Sequence, residues 1–216
     1  MKIEEEILKH IVTSLPTSFD DEAAAFKERA YKVKKIDKNA FVKLSSLLSH
    51  DKKVAFVDGG NVNLFSSASL SLDFIRVAAV VFDGKKYVVP ESIDFYLLTR
   101  IEEKDDNLMF ISTVFFDDFV KRKNLRLCED LKKIEKDLCV SLVDSKLTFG
   151  RRNASIAVVS GIARRFAELI VAKSLSSDVI VLDGSLECTY PNEEKYMQSL
   201  LASSFDVVSL AKTSTL

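Results

Sequence analysis

Apolar positions recur along this chain at two periods, and the change from one to the other divides it. Over residues 3–14, Ile3, Ile7, Leu8, Ile11 and Val12 fall at helical spacing. Pro16 ends that segment, and Ser18 and Asp20 offer N-caps for a second helix through about Val33. A third helical stretch runs from about Asn39 to Leu48, with Phe41, Leu44, Leu47 and Leu48 on one face. Residues 1–50 therefore read as a helical preface, which either packs on a sheet edge or offers a docking surface. From residue 51 the pattern turns to short β-rich runs. VAFVD (54–58) is a strand followed by an Asn/Ser-rich turn, and LDFIRVAAVVF (72–82) is a second strand. Asp83-Gly84 then separates it from KKYVVP (85–90), a strong hairpin signal. MFISTVFF (109–116) is a further strand, rich in β-branched and aromatic residues.

From Asp117 to about Cys139 the pattern is helical and charged. FGRRN (149–153) is a loop, and SIAVVSGIARRFAELIVAKSL (155–175) is a well-marked helix. VIVLDGS (179–185) is apolar without interruption, as expected of a buried parallel strand. Pro191 and Asn192 open a helix over about 193–203, and FDVVSLAK (205–212) is a last buried strand. An antiparallel three-strand meander, followed by alternating helices and parallel strands, is the ribonuclease-H-like arrangement of an α/β fold. The expectation is one such domain over residues 51–216, behind the N-terminal helical segment.

The ends of two strands carry the candidate chemistry. VAFVDGG presents Asp58 and VIVLDGSL presents Asp183, each followed by glycine. A strand that ends in a carboxylate and then glycine delivers an acid to the sheet edge and lets a ligand approach the backbone. Glu168, on the helix before the second of these strands, supplies a third acid. Hard oxygen ligands suit Mn²⁺ or Mg²⁺, and two such ions can clamp the attacking water and the leaving oxygen of a phosphodiester. Each acid also has a plainer reading. Asp-Gly is good turn chemistry, and Glu168 stands four residues after Arg164, the spacing of an exposed helical ion pair. Asp117 and Asp118 close a strand and form a reserve pair; Glu102, Glu103, Asp105 and Asp106 read as solvated surface.

Composition narrows the partners. The 216 residues are 47% hydrophobic and 29% charged, with a net charge of −1, so nucleic acid would have to be met by a local basic patch. Candidate patches are Lys121 to Lys123, Arg151 with Arg152, Arg164 with Arg165, and Lys212 at the last strand's end. Arg151 and Arg152, in the loop before the Glu168 helix, are the best placed to track a DNA backbone, and Arg164 and Lys212 are further DNA-binding candidates. Scattered surface charge is the alternative. Three cysteines without paired spacing and only two histidines, His10 and His50, point to a reducing cytoplasm and away from structural zinc. The acidic N-terminus is not a secretory signal, and no apolar run is long enough for a membrane span.

With those residues in place, the chain resembles the NurA nuclease family, archaeal and bacterial partners of the hexameric HerA translocase. The matching pieces are VAFVDGG, ARRFAELIVAKSL, VIVLDGSL and VVSLAKTS, in order over about residues 50–216. The resemblance implies manganese-dependent DNA hydrolysis, with 5′-to-3′ exonuclease and single-strand endonuclease activity in DNA end resection. It also implies a homodimer docked on a HerA-type hexameric ATPase. Asp58, Glu168 and Asp183 match the family's metal-binding acids. Three departures stand out, one being the long stretch between Asp58 and Glu168, as of an insertion. Gly59-Gly60 replaces the commoner Gly-Ser, and no late histidine follows the core, since the sequence stops at Leu216. The expectation is therefore a C-terminally short member. A non-catalytic adaptor of the same fold for a DNA translocase, and an actin-like ATPase, are the alternatives.

Overall fold

The computed structural model describes residues 52–84, 86–148 and 153–210. The helices expected before residue 50, the pair Arg151 and Arg152, and Lys212 lie outside the described residues. Among the described residues, seven strands form one mixed sheet: β1 (Lys53–Ser66), β2 (Leu70–Asp83), β3 (Lys86–Lys104), β4 (Asn107–Phe115), β5 (Val140–Ser141), β6 (Val179–Asp183) and β7 (Asp206–Leu210). Their order across the sheet is β5-β4-β3-β2-β1-β6-β7. β1 to β5 pair antiparallel, whereas β6 runs parallel to both β1 and β7. The helices among the described residues are α1 (Asp118–Lys123), α2 (Leu125–Lys132), α3 (Ile134–Asp137), α4 (Val158–Ser174) and α5 (Glu193–Leu201). Among the described residues no helix is long and apolar enough to cross a membrane.

Turn chemistry sets the meander. Asp83 pairs with Lys86 across a two-residue connection whose Gly84 has φ 58°. At the β3–β4 turn, Asp105 and Asp106 take φ 52° and 58°, left-handed values that Asp tolerates and a tight hairpin requires. These two acids are exposed, as the sequence suggested, but they also make the turn. Strand lengths depart from the local reading. β3 does not end at Pro90. The ladder slips between Ala79 and Val81, which face Glu91 and Val88, so Pro90 sits in a bulge where its missing N–H costs no ladder bond. The helical run after Asp117 is three short helices, and Asn124 parts the first two by leaving helical geometry at φ −135°, ψ 45°. Asp117 caps the first of them, accepting from Phe119 N at 2.8 Å.

One face of the sheet carries the core. Ala55 and Val57, Ile75 and Val77, Phe95 and Leu97, and Phe110 are fully or almost fully buried there. α4 lies against this face and brings Val159, Ile162, Phe166 and Leu169. Each such side chain contributes roughly 1.5–3 kcal/mol on burial. α5 and α2 also pack on α4, so that helix is enclosed on nearly every side. This enclosure decides the environment of its polar residues. The opposite sheet face leaves Phe56, Tyr96 and Phe115 between 41% and 49% exposed.

Candidate functional site

The parallel register of β1 and β6 pairs Val54 with Val179 and ends at Val57 with Leu182. One step beyond that last pair come Asp58 and Asp183. The two acids thus stand next to each other where the parallel pairing stops. Asp183 is the final residue of β6 and is half-buried. Gly184 follows with φ 90°, a turn only glycine makes without strain, and its N–H bonds to Leu210 O in β7 at 3.1 Å.

Asp58 is not at a strand end, contrary to the sequence reading. It pairs with Ala78, and β1 continues through Gly59, Gly60 and Asn61 to Ser66 because β2 offers partners as far as Ser71. The turn expected after Asp58 is therefore absent. Strand alternation puts Asp58 with Phe56 and Gly60 on the face away from α4, and it is exposed. Its Oδ1 accepts from Gly59 N at 2.8 Å.

Glu168 approaches β1 from the other face. The ion pair with Arg164 is present, Nη1 to Oε1 at 2.9 Å, but it is not a surface pair: Glu168 is 3% exposed. Arg164 Nη1 also donates to Gly59 O at 2.9 Å, and Arg165 Nη1 lies 3.6 Å from Glu168 Oε2. Burial, against the pull of Arg164 and Arg165 and with the smaller help of the Asp58 and Asp183 charges, pushes the Glu168 carboxyl up to about 7. The three acids therefore share one electrostatic neighbourhood. Gly59 makes this possible: a Cβ there would stand 2.7 Å from Glu168 Oε1 and 2.9 Å from Arg164 Cγ. Its bareness admits Glu168, whereas the sequence suggested a ligand's approach to the backbone.

Two buried residues that the sequence reading did not place in this role hold the site together. Arg165, read there as part of a phosphate track, is 7% exposed. Its Nε donates to Glu193 Oε1 at 2.8 Å, its Nη2 to Ser185 O at 2.7 Å and its Nη1 to Asp183 O at 3.4 Å. Glu193, 1% exposed, accepts from Thr189 N and Tyr190 N through its other oxygen at 2.8 and 3.1 Å. The pair ties α4, the turn after Asp183 and the start of α5 into one unit. The available signal was an arginine inside an otherwise apolar helix face, next to Phe166.

The donor chemistry suits a hard divalent cation, since all three groups are carboxylates and their mutual repulsion is what such an ion relieves. The arrangement is looser than one coordination sphere. Among the described residues no three His, Cys, Asp or Glu side chains lie together closely enough to hold a metal ion. Glu168 faces its two arginines, and Asp58 opens on the other side of β1. Of the reserve acids, Asp117 is a helix cap and Asp118 pairs with Lys121 at 3.5 Å. Of Arg151, Arg152, Arg164 and Lys212, Arg164 is the one among the described residues, and it is bonded within the site. Comparison of the chain with protein-family models, with curated proteins and with solved structures finds no match.

Proposed function

We propose that this chain is a metal-dependent deoxyribonuclease of ribonuclease-H-like fold that acts on DNA ends. The sheet order supports the fold reading, because an antiparallel β3-β2-β1 meander is flanked by two parallel strands, β6 and β7. The observation that carries the function is that Asp58 and Asp183 stand side by side where the β1–β6 pairing stops, with Glu168 packed on Gly59, the residue after Asp58. Glu168 is raised to about 7 in a neighbourhood that includes Asp58 and Asp183, beside the carboxyl end of the central parallel strand. To hold Mn²⁺ or Mg²⁺, Asp58, Asp183 and Glu168 would have to draw closer together than they lie here; an ion so held would polarise a phosphodiester and lower the pKa of a bound water. The chain's own residues do the positioning. Arg164 fixes Glu168 to the Gly59 carbonyl, and Arg165 with Glu193 fixes the turn that follows Asp183. With a carboxyl that titrates near neutrality, Glu168 can also hold or release a proton at working pH.

A homodimer, a HerA-type hexameric ATPase as partner, and a cytoplasmic location complete this reading, on the strength of the sequence resemblance. The test is degradation of end-labelled single- and double-stranded DNA with Mn²⁺ by the wild-type chain, Asp58→Asn and Asp183→Asn. Loss of cleavage in both variants is expected; undiminished cleavage in both sinks the proposal. A second reading, a non-catalytic adaptor, draws on the engagement of Glu168 by two arginines. It predicts no cleavage together with stable binding to the translocase.

A further inference from the structure

We infer that the sheet face beside Asp58 is a stacking subsite for an unpaired nucleotide of single-stranded DNA, with the Phe74 ring as platform and Arg76 as phosphate donor. This rests on the nuclease reading of the neighbouring acids. A hollow of about 460 Å³ lies over this face, lined by Asp58, Gly60, Val62, Phe74, Arg76 and Ala78 among others. The register explains it. Asp58 faces Ala78, Gly60 faces Arg76 and Val62 faces Phe74 across the β1–β2 ladder. Gly60 brings no side chain, and nothing stands within 4 Å of the place its Cβ would take. Ala78 brings only a methyl. Two small residues therefore leave a depression with an acid at one end and an aromatic ring at the other.

Both working groups are held in place before any ligand arrives. Tyr96 packs edge-on to Phe74, with centroids 5.4 Å apart and the rings at 61°. Arg76 is held by Asp94 through two bonds, Nε to Oδ1 at 2.7 Å and Nη2 to Oδ2 at 2.6 Å, which leaves Nη1 outside the pair. The Arg76 guanidinium lies over the Phe74 ring, its carbon 5.7 Å from the centroid, so an incoming base stacks on this guanidinium–ring pair or takes the guanidinium's place on the ring. Unpaired bases stack on both kinds of group, and fixed groups lose little freedom on binding. Asp58 and Phe74 are four residues apart along the ladder, about 14 Å at roughly 3.4 Å per residue. The stacked base therefore belongs to a nucleotide further along the strand than the one whose phosphate meets Asp58. A glycine and alanine floor, a guanidinium and a bordering carboxylate match a stacked base with its phosphate better than an apolar protein segment, which needs side chains to bury against.

The experiment uses the full chain in EDTA and a single-stranded 12-mer of thymidine carrying one 2-aminopurine, with binding read by anisotropy and stacking by fluorescence quenching. Phe74→Leu keeps apolar bulk but removes the ring, and Phe74→Tyr keeps the ring. Gly60→Val fills the hollow where nothing opposes a side chain. Phe74→Leu and Gly60→Val should each weaken binding roughly tenfold, the scale of one lost base stack, while Phe74→Tyr stays near wild type. Quenching should fall in parallel, with unchanged circular dichroism. Wild-type affinity in both weakened variants, or no oligonucleotide binding by the wild type, overturns the subsite. Cleavage that needs Asp58 but ignores Phe74 and Gly60 removes the subsite and leaves the nuclease. Phe74-dependent binding without any cleavage removes the nuclease and leaves the subsite.

Discussion

Glu168 lies so close to Gly59 that a single added carbon would collide with it: a Cβ on Gly59 would stand 2.7 Å from Glu168 Oε1. A residue of β1 and a residue of α4, 109 positions apart by their numbering, thus share one small volume. The neighbouring Gly60 has open space. The two glycines of one dipeptide have different jobs.

This difference is measurable. Gly59→Ala must displace Glu168 and Arg164, both tied into the site, and should cost about 1–3 kcal/mol in urea unfolding, the scale of overpacking. Gly60→Ala should stay within about 0.5 kcal/mol of wild type, as expected of a substitution that meets nothing. Equal effects of the two substitutions would contradict the contact.

Stability should fall with rising pH in a defined window. The native Glu168 carboxyl sits at about 7 against an ordinary 4.5, so the native state holds this proton more tightly than the unfolded chain. The contribution is complete below pH 4.5 and is lost as pH rises through 7. At about 1.4 kcal/mol per pH unit, it amounts to about 3 kcal/mol at most. Glu168→Gln should flatten that part of the profile. Asp58→Asn removes a charge that raises Glu168, so it should move the window to lower pH. Chemical unfolding from pH 4 to 8 in metal-free buffer checks both.

Arg165 should be among the costliest residues to replace. Arg165→Ala leaves Glu193 buried without its cation and unbonds the turn after Asp183. Removing one partner of a buried pair costs about 3–5 kcal/mol. The double variant with Glu193→Gln should recover part of that loss, because the orphaned charge is removed as well. Additive losses in the double-mutant cycle would deny the coupling.

Metal binding has a readout that does not depend on cleavage. Mn²⁺ at about 100 times its Kd should raise unfolding stability by about 2.7 kcal/mol through linkage. Asp183→Asn should reduce this gain and EDTA should abolish it. A stability indifferent to Mn²⁺ would separate the three acids from any metal role.

The residue pattern alone located the apolar strands, the Asp83-Gly84 hairpin, the α4 helix and the alternation that follows it, because periodicity and turn chemistry act over a few residues. It also singled out Asp58, Glu168 and Asp183. It misjudged the end of β1, since a strand stops where its ladder partner stops. β6 releases β1 after Val57, while β2 carries it on to Ser66. It left open whether Glu168 was solvated, because burial of that helix face depends on α2 and α5 packing over α4. The work of Arg165 and Glu193 was out of reach for the same reason: their bonds span 28 positions and three elements. The sequence thus determined which residues could do chemistry and which segments could be strands or helices. Only the tertiary structure decided where β1 ends, which face Asp58 takes and what Glu168 touches, because those depend on pairing and packing between segments far apart in the chain.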